Sequence, residues 1–485
     1  MNGAIGPEIL GRWSAGSGPL YRRLADAVRT AIARGDIAPD TRLPAERVLA
    51  RTLTVSRSTV VSAYDLLFSE GLLVRRQGSG TRVAPEPASA ARRAHLGQVW
   101  APTRALRSIV DNPGDVVPFT ASTIDRLPRT LPIEAFRLDF DEITGYPPYF
   151  EIPEGLPALR QEVARLYEGR GLPTSPDQIV VTSGAQQAIA LVASAHLAPG
   201  DLAVVESPTF PGAIDALGLT GARLRGIAVT HEGADIGSIE RTVVQGHVGL
   251  AYLIPSFQNP TGTLMGSSRR ASLAEIVSKW DVPTVDDESL VDLSLAGQVP
   301  SPLAAFAPNA PIYSVGSVSK LFWGGLRVGW VRTPPDAVGP ILGLKSVHDL
   351  STSLVSQAIA LRLLREREAM IVERRRELKE RLAAWTRLLA EHLPSWRWDT
   401  PAGGLSLWVD TGVDSVSFAQ VALREGVALV TASETTVDRT STTFVRLPLA
   451  LDFETIEEGV IRLRRAYEQV DRSADGDQLA PRLVV

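Results

Sequence analysis

From Pro19 to Arg34 apolar residues recur at Leu20, Leu24, Ala27, Val28, Ala31 and Ile32, the spacing of one buried helix face. Gly35 and Pro39 end that helix. A second predicted helix opens at Leu43-Pro44-Ala45-Glu46-Arg47, with proline in its first turn, and runs to about Leu53. Ser56 caps a third, whose inner face carries Val60, Val61, Tyr64, Leu67 and Phe68. Leu72–Val74 and Arg82-Val83 then read as two strands joined through Arg75-Arg76-Gln77-Gly78-Ser79-Gly80-Thr81. Three helices followed by a hairpin predict a winged helix-turn-helix over residues 1–84.

Residues 85–115 lose this periodicity and collect Pro, Ala, Ser and Arg, the composition of a linker. Beyond it short β-type runs alternate with helical patterns: Gln178–Thr182, Leu202–Glu206, Val248–Ile254, Val282–Val285, Ile312–Val315 and Val328–Val331. That alternation predicts a large α/β domain with a mostly parallel sheet. One long helical pattern, dense in Glu and Arg, runs from about Val347 to Leu393. With Trp396–Asp410, Phe444–Leu449 and a helix Glu454–Val470 it predicts a smaller α+β part, mainly 347–471, of one module spanning 116–471. Residues 472–485 read as a tail.

Composition narrows the class. No apolar run approaches the ~18 residues of a membrane span. Met1–Leu10 lacks a basic start followed by an apolar stretch, so no signal peptide is predicted. The absence of cysteine excludes disulfides and thiolate metal sites and fits a reducing cytoplasm. Six scattered histidines offer no metal-ligand spacing, so no metal is expected. The net charge of −4 hides an asymmetry. Residues 1–84 hold 12 Arg and 7 Asp/Glu, a net of +5, whereas the remainder holds 38 basic and 47 acidic residues, a net of −9. A small basic domain on a larger acidic one points to a local polyanion contact.

Arg47, and Ser56-Arg57-Ser58-Thr59 at the start of the third helix, are what a recognition helix needs. Its first residues face base edges, while hydroxyls and helix-end amides hold phosphates. Arg57 reaches either guanine or a phosphate. The glycine-bracketed wing, Gln77-Gly78-Ser79-Gly80, lets backbone approach the duplex. Double-stranded DNA is therefore the expected partner.

A second chemistry sits in Ser314-Val315-Gly316-Ser317-Val318-Ser319-Lys320, followed by Arg327 seven residues on. Only four lysines (Lys279, Lys320, Lys345 and Lys379) stand against 46 arginines, so a lysine after a Gly/Ser-rich turn stands out. Lys320 supplies an amine for a Schiff base, Ser317 and turn amides meet a phosphate, and Arg327 neutralises it. Thr182-Ser183-Gly184-Ala185-Gln186-Gln187, between a strand and an apolar helix, offers a second set of backbone amides for the same anion. Asp286-Asp287 follows the strand Val282–Val285, where a carboxylate would pair with a protonated pyridine nitrogen. Asp286 is favoured because it directly follows the strand.

The lysine segment resembles the pyridoxal-phosphate lysine segment of fold-type I aminotransferases. Leu43-Pro44-Ala45-Glu46-Arg47, Val55-Ser56-Arg57-Ser58-Thr59-Val60 and Glu70-Gly71-Leu72-Leu73 with Gln77-Gly78-Ser79-Gly80-Thr81 resemble the GntR DNA-binding domain. Together, over residues 18 to about 470, the chain resembles the MocR subfamily of GntR-type bacterial transcriptional regulators. The resemblance implies pyridoxal 5′-phosphate on Lys320, its phosphate on Gly184, Ala185, Ser317 and Arg327, with Gln186 in the same cup. It places Phe210 on the pyridine ring, Asn259 of Gln258-Asn259-Pro260-Thr261-Gly262 on the ring hydroxyl, and Arg446 on an effector carboxylate. It also implies a homodimer, often head-to-tail, and a small amine, an amino acid or pyridoxal phosphate itself as effector, sensed through exchange between internal and external aldimine.

Four positions depart from that pattern. Glu288 stands where a tyrosine is usual near the ring hydroxyl, and Phe150 where related enzymes use a tyrosine on the phosphate. Phe257 replaces a histidine, and Gly212 removes a basic residue. The expectation is a regulator with intact cofactor capture and weakened turnover. The rival is a working aminotransferase with an accessory DNA-binding domain. A third reading is a GntR regulator whose module has lost its cofactor.

Overall fold

The computed structural model describes residues 7–10, 13–14, 18–33, 36–76, 80–84, 116–120, 124, 136–138, 145, 151–297, 299–438 and 442–478. Gln77 and Gly78 of the wing, Phe150, the linker 85–115 and the end of the tail lie outside the described residues.

The N-terminal domain contains α1 (Leu20–Ala33), α2 (Glu46–Thr52) and α3 (Arg57–Ser69), then β1 (Leu73–Arg76) and β2 (Gly80–Val83) paired antiparallel. Its core holds Leu24, Val28, Val60, Tyr64 and Leu67, which the periodicity selects, together with Leu49, Leu53 and Ala63, and is closed by Leu73 and Val83 from the hairpin. Val61 and Phe68, also on the expected inner face, are only partly buried. Tyr64 is buried, and its hydroxyl donates to the Pro44 carbonyl at 3.0 Å, fixing the entry to α2 against α3.

The second module is built on an eight-stranded sheet. In chain order its strands are β4 (Ile179–Thr182), β5 (Leu202–Ser207), β6 (Arg223–Thr230), β7 (Gly233–Ala234), β8 (Leu250–Leu253), β9 (Thr284–Asp287), β10 (Ile312–Ser317) and β11 (Gly329–Arg332). They lie side by side as β4-β11-β10-β9-β8-β5-β6-β7. β6, β5, β8, β9 and β10 pair parallel, while β11 is antiparallel to both β10 and β4, and β7 to β6. Six strands therefore point one way. Helix α5 (Ala185–His196) packs on one face, where Ile189 and Val192 meet Val180, Val205, Tyr252 and Val285. Buried on both faces, β4 and β8 read as continuous apolar runs.

The smaller part carries an antiparallel sheet of β12 (Arg397–Trp398), β13 (Ser406–Asp410), β15 (Val430–Thr431) and β16 (Phe444–Pro448). A short β14 (Val427–Ala428) pairs parallel with β3 (Val117–Pro118). The single helical pattern expected over 347–393 is broken. The chain forms α6 (Val338–His348), α7 (Leu354–Arg365) and α8 (Arg367–His392), with Ser353 capping α7 through the Ser356 amide at 3.3 Å. The last helix, Phe453–Gln478, is longer than expected. Among the described residues no helix is long and apolar enough to cross a membrane.

Candidate functional site

The loops that leave five of the six co-directional strands, all but β6, converge on one cavity at the same edge of the sheet, the usual place for a ligand in an α/β sheet. β4 delivers Ala185 and Gln186, β5 delivers Phe210, β8 delivers Ile254 and Asn259, β9 delivers Asp287, and β10 delivers Ser317 and Lys320. Arg327 lines the same cavity from the short turn before β11, held in the left-handed region at φ 53°. Sequence reasoning thus named residues far apart in the chain that the fold brings together.

The anion end is built around Gly184. Its φ of 115° and a distance of 2.9 Å from an ideal Cβ to the Arg327 guanidinium leave room for glycine alone. Arg327 donates to the Ser183 carbonyl at 2.9 Å, and the Ser319 amide donates to Ser317 Oγ at 3.1 Å. Ala185 and Gln186 begin α5, so their amides have no intrahelical acceptor. At the other end Asn259 Oδ1 is buried without a partner. Phe210 lies beside Gly212, where a Cβ would come within 2.5 Å of the ring, so the small residue is what makes space for that ring.

The choice between the two aspartates is corrected. β-strand alternation sends Asp286 and Asp287, the last two residues of β9, to opposite faces. The cavity is lined by Asp287 and Ser289. Asp286 is turned away, accepts the Leu303 amide at 2.8 Å, and is pushed up to about 7 by burial and then by Glu288, against Arg270 and the Leu303 amide. Glu288 is ion-paired with Arg170 on that same face, away from the cavity. Leu290 stands in the lining instead. Tyr252, inside an apolar run, was missed: its hydroxyl donates to Asp287 Oδ2 at 2.6 Å and orients that carboxylate.

Beneath the cavity floor Glu206 Oε2 accepts from the Ile254 amide and from Gln258 Nε2, each at 3.1 Å, which fixes the loop that aims Asn259. Complete burial pushes the Glu206 carboxyl up to about 8, opposed by those two donors and reinforced by the Asp287 and Asp286 charges. The folded protein keeps this proton over a pH range in which the unfolded chain has released it, so stability falls as pH rises from the ordinary carboxylate range to about 8. Melting scans should show that decline, and Glu206→Gln should flatten part of it. An unchanged pH profile in the variant would exclude a protonated Glu206.

Two expected positions behave differently from the rest. Arg446, on β16, is fully buried and does not line the cavity with Lys320; it donates to the Thr120 carbonyl at 2.7 Å, and its Nε has no partner. Burial lowers its guanidinium to about 10, partly offset by Glu434, so it stays charged at neutral pH. Phe257 is a core residue, packed where a Cβ on Gly403 would come within 2.4 Å of its ring. The segment after Lys320 is gripped from α8: Arg374 donates to the Leu321 carbonyl at 2.9 Å and to the Phe322 carbonyl at 3.0 Å.

In the N-terminal domain Arg47, Ser56, Arg57 and Ser58 are exposed and Thr59 half-buried around the start of α3. The Ser56 hydroxyl is engaged as the helix cap, accepting from the Thr59 amide at 3.1 Å and lying 2.8 Å from both Ser58 Oγ and Thr59 Oγ1. It shapes the helix end and leaves the arginines to reach outward.

The sheet order and a lysine at the strand ends define an aminotransferase-type fold, and the donor set fits pyridoxal 5′-phosphate: one amine, an anion cup with an arginine, an aromatic wall, a side-chain amide and a carboxylate. Comparison with known proteins agrees. The family "Aminotransferase class I and II" matches residues 111–463, and "Bacterial regulatory proteins, gntR family" matches residues 20–83. The chain belongs to the MocR type of GntR regulators, in which these two domains are joined. It is 31% identical over 411 residues to an HTH-type transcriptional regulator, YisV, of Bacillus subtilis, covering 81% of this chain and 84% of the relative. It is 29% identical over 399 residues to the probable rhizopine catabolism regulatory protein MocR of Rhizobium meliloti, covering 78% of each. The crystal structure of the Thermus thermophilus α-aminoadipate aminotransferase LysN, complexed with N-(5′-phosphopyridoxyl)-L-leucine, superposes with a TM-score of 0.71 at 28% identity, covering 80% of this chain and all of that one.

Proposed function

We propose that this chain is a DNA-binding transcriptional regulator that holds pyridoxal phosphate at Lys320 and responds to a small amine, an amino acid or the cofactor itself. The observation that supports it best is the joining, in one chain, of exposed Arg47 on α2 and exposed Arg57 at the start of α3 with a cavity that assembles Lys320, Arg327, Asn259 and Asp287. When bound, the cofactor would supply an aldehyde carbon that a primary amine captures, and a ring that takes up electron density. The chain's own groups have separate tasks. Lys320 Nζ is the capturing amine. Arg327, Ser317 and the amides at the start of α5 bind the phosphate. Phe210 covers one ring face and excludes water there. Asp287, held by Tyr252, keeps a proton on the ring nitrogen. Asn259 would donate from its side-chain amide to the oxygen of the ring hydroxyl.

Arg446 supports the amino-acid arm of the reading, because a charged, buried guanidinium with an unpartnered Nε suits a carboxylate. Sensing requires that the effector bind the two DNA-binding geometries with different affinity. The test is selection of duplexes from a random pool by the cofactor-loaded protein, followed by titration of the winning duplex with amines and amino acids. A selected sequence whose affinity shifts with one of them supports the reading; no sequence preference at all overturns it. With that duplex, Arg57→Ala should weaken binding by roughly 1–3 kcal/mol if it reads a base, with relaxed preference at one position. If it holds a phosphate the loss is uniform and the salt dependence becomes shallower, which anisotropy titrations over salt concentration distinguish.

The second reading, an active aminotransferase, is favoured by the completeness of the Lys320, Asp287 and Asn259 set and by 33% identity over 323 residues to a 2-aminoadipate transaminase of Thermus thermophilus. Consumption of an amino donor with a 2-oxo acid by the purified protein would support it.

A further inference from the structure

Resting on the cofactor reading, we infer that Lys345, Asp349 and Gln187 form a positioning relay that fixes the Ser183–Gly184 turn, and Arg327 with it, in the shape that accepts a phosphate monoester. None of the three lines the cavity, and each contact in the relay is direct. Lys345, with a side chain that is 0% exposed, donates from Nζ to Asp349 Oδ1 at 2.6 Å. Asp349 Oδ2 accepts from Gln187 Nε2 at 2.8 Å. Gln187 Oε1 then accepts from the Ser183 amide at 2.8 Å and from Ser183 Oγ at 3.1 Å. The Ser183 carbonyl, on the other side of the residue, takes the Arg327 guanidinium at 2.9 Å. Both backbone polar groups of Ser183 are thereby held, one by the relay and one by the arginine of the anion cup.

The order of donors and acceptors gives the relay its function. A side-chain amide presents a donor and an acceptor of nearly equal shape, and its neighbours decide which way it faces. An ionised carboxylate only accepts, so Asp349 takes the Gln187 NH2 and turns the Gln187 oxygen toward Ser183. Lys345 is the cation paired with that carboxylate at 2.6 Å; burial lowers the Lys345 amine, and Asp349 partly restores it. With asparagine at position 349 Lys345 still claims the side-chain oxygen, the NH2 then faces Gln187, and the Gln187 oxygen is drawn away from Ser183. The turn it supports runs into Gly184 at φ 115°, directly against the Arg327 guanidinium. Asp349 also lies where α6 ends and the chain crosses toward α7, so the phosphate turn is tied to that crossing and not only to α5.

A relay acting on the phosphate alone has a signature that general destabilisation lacks. Pyridoxal, which has the same aldehyde and ring without the phosphate, serves as the control ligand for Lys320. Dissociation constants of pyridoxal phosphate and pyridoxal should be measured on the full chain for the wild type, Asp349→Asn and Gln187→Met. Asp349→Asn should weaken pyridoxal phosphate roughly tenfold, the scale of one lost charge-assisted hydrogen bond, and leave pyridoxal unchanged. Gln187→Met, which disturbs no charge, should do the same. Inorganic phosphate should compete with the cofactor less well in both variants than in the wild type. Equal losses for both ligands, or an unchanged ratio in both variants, would overturn the relay. A wild type that does not distinguish pyridoxal phosphate from pyridoxal would instead overturn the cofactor reading on which it rests.

Discussion

Replacing Lys320 by alanine is expected to abolish covalent cofactor capture outright. Wild-type protein mixed with pyridoxal phosphate should gain a visible absorption band, and borohydride treatment should add the cofactor's mass to one peptide, the one containing Lys320. The variant should show neither. The size of the effect follows from the lysine inventory. Of four lysines, Lys345 is sealed and ion-paired, while Lys279 and Lys379 are exposed on helices outside the cavity. Among the described residues Lys320 is the only lysine that lines the cavity with Arg327 and the start of α5. The protein should stay folded, because Lys320 is only half-buried and its truncation opens no core void. A band that survived in the variant would show that the cavity is not the capture site. Absence of a band in the wild type would leave a DNA-binding protein with a retired enzyme fold.

The second large effect separates two adjacent carboxylates. Asp287→Asn should weaken cofactor binding and shift its absorption, since the carboxylate that would hold a ring proton is removed while the Tyr252 hydroxyl keeps a partner. A loss of tenfold or more in affinity is expected, on the scale of about 1.5–3 kcal/mol for a hydrogen bond to a charged group. Asp286→Asn should leave the spectrum unchanged and act on stability. Asp286 is pushed up to about 7, so the folded state retains a proton that the unfolded chain loses at lower pH; its stability cost therefore grows as pH rises toward 7. The amide should remove that pH dependence. The reverse pattern, a changed spectrum with Asp286→Asn and none with Asp287→Asn, would return the ring partner to Asp286.

That pair also shows where the sequence stops being informative. Two carboxylates side by side at a strand end must face opposite ways, and nothing local says which way the cavity lies. The available signal was Val285: it packs under α5, and alternation puts Asp287 on that same side. Glu288 misled for the same reason, since its likeness to a ring neighbour ignored the face it occupies. Strand β6 escaped notice because Arg223 and Arg225 are both exposed and mask its pairing with β5. The broken helical pattern after Val347 was harder, because Asp349, Ser351, Thr352 and Ser353 interrupt an apolar periodicity that resumes in register; the Ser353 cap was the clue. By contrast, the N-terminal domain was legible because its core follows helix periodicity with caps and turns in agreement. The lysine segment was legible because a scarce residue stood in a turn of the right chemistry.

Helix α8 ties two parts of the site that never touch. Over its first turns Arg367 donates to Asp292 Oδ2 at 3.1 Å, Arg374 grips the Leu321 and Phe322 carbonyls, and Arg375 donates to the Ser294 carbonyl at 3.2 Å. Further along, Arg381 donates to the Ala450 carbonyl at 3.2 Å and Trp385 to the Pro448 carbonyl at 2.9 Å, at the end of the strand that carries Arg446. A helix of this length, ~39 Å at 1.5 Å per residue, resists stretching far more than tilting. It therefore joins the carbonyls just after Lys320 to the end of the Arg446 strand through one stiff element. Any change in the tilt of that helix would be felt at both ends, at the turn after Lys320 and at the strand that carries Arg446.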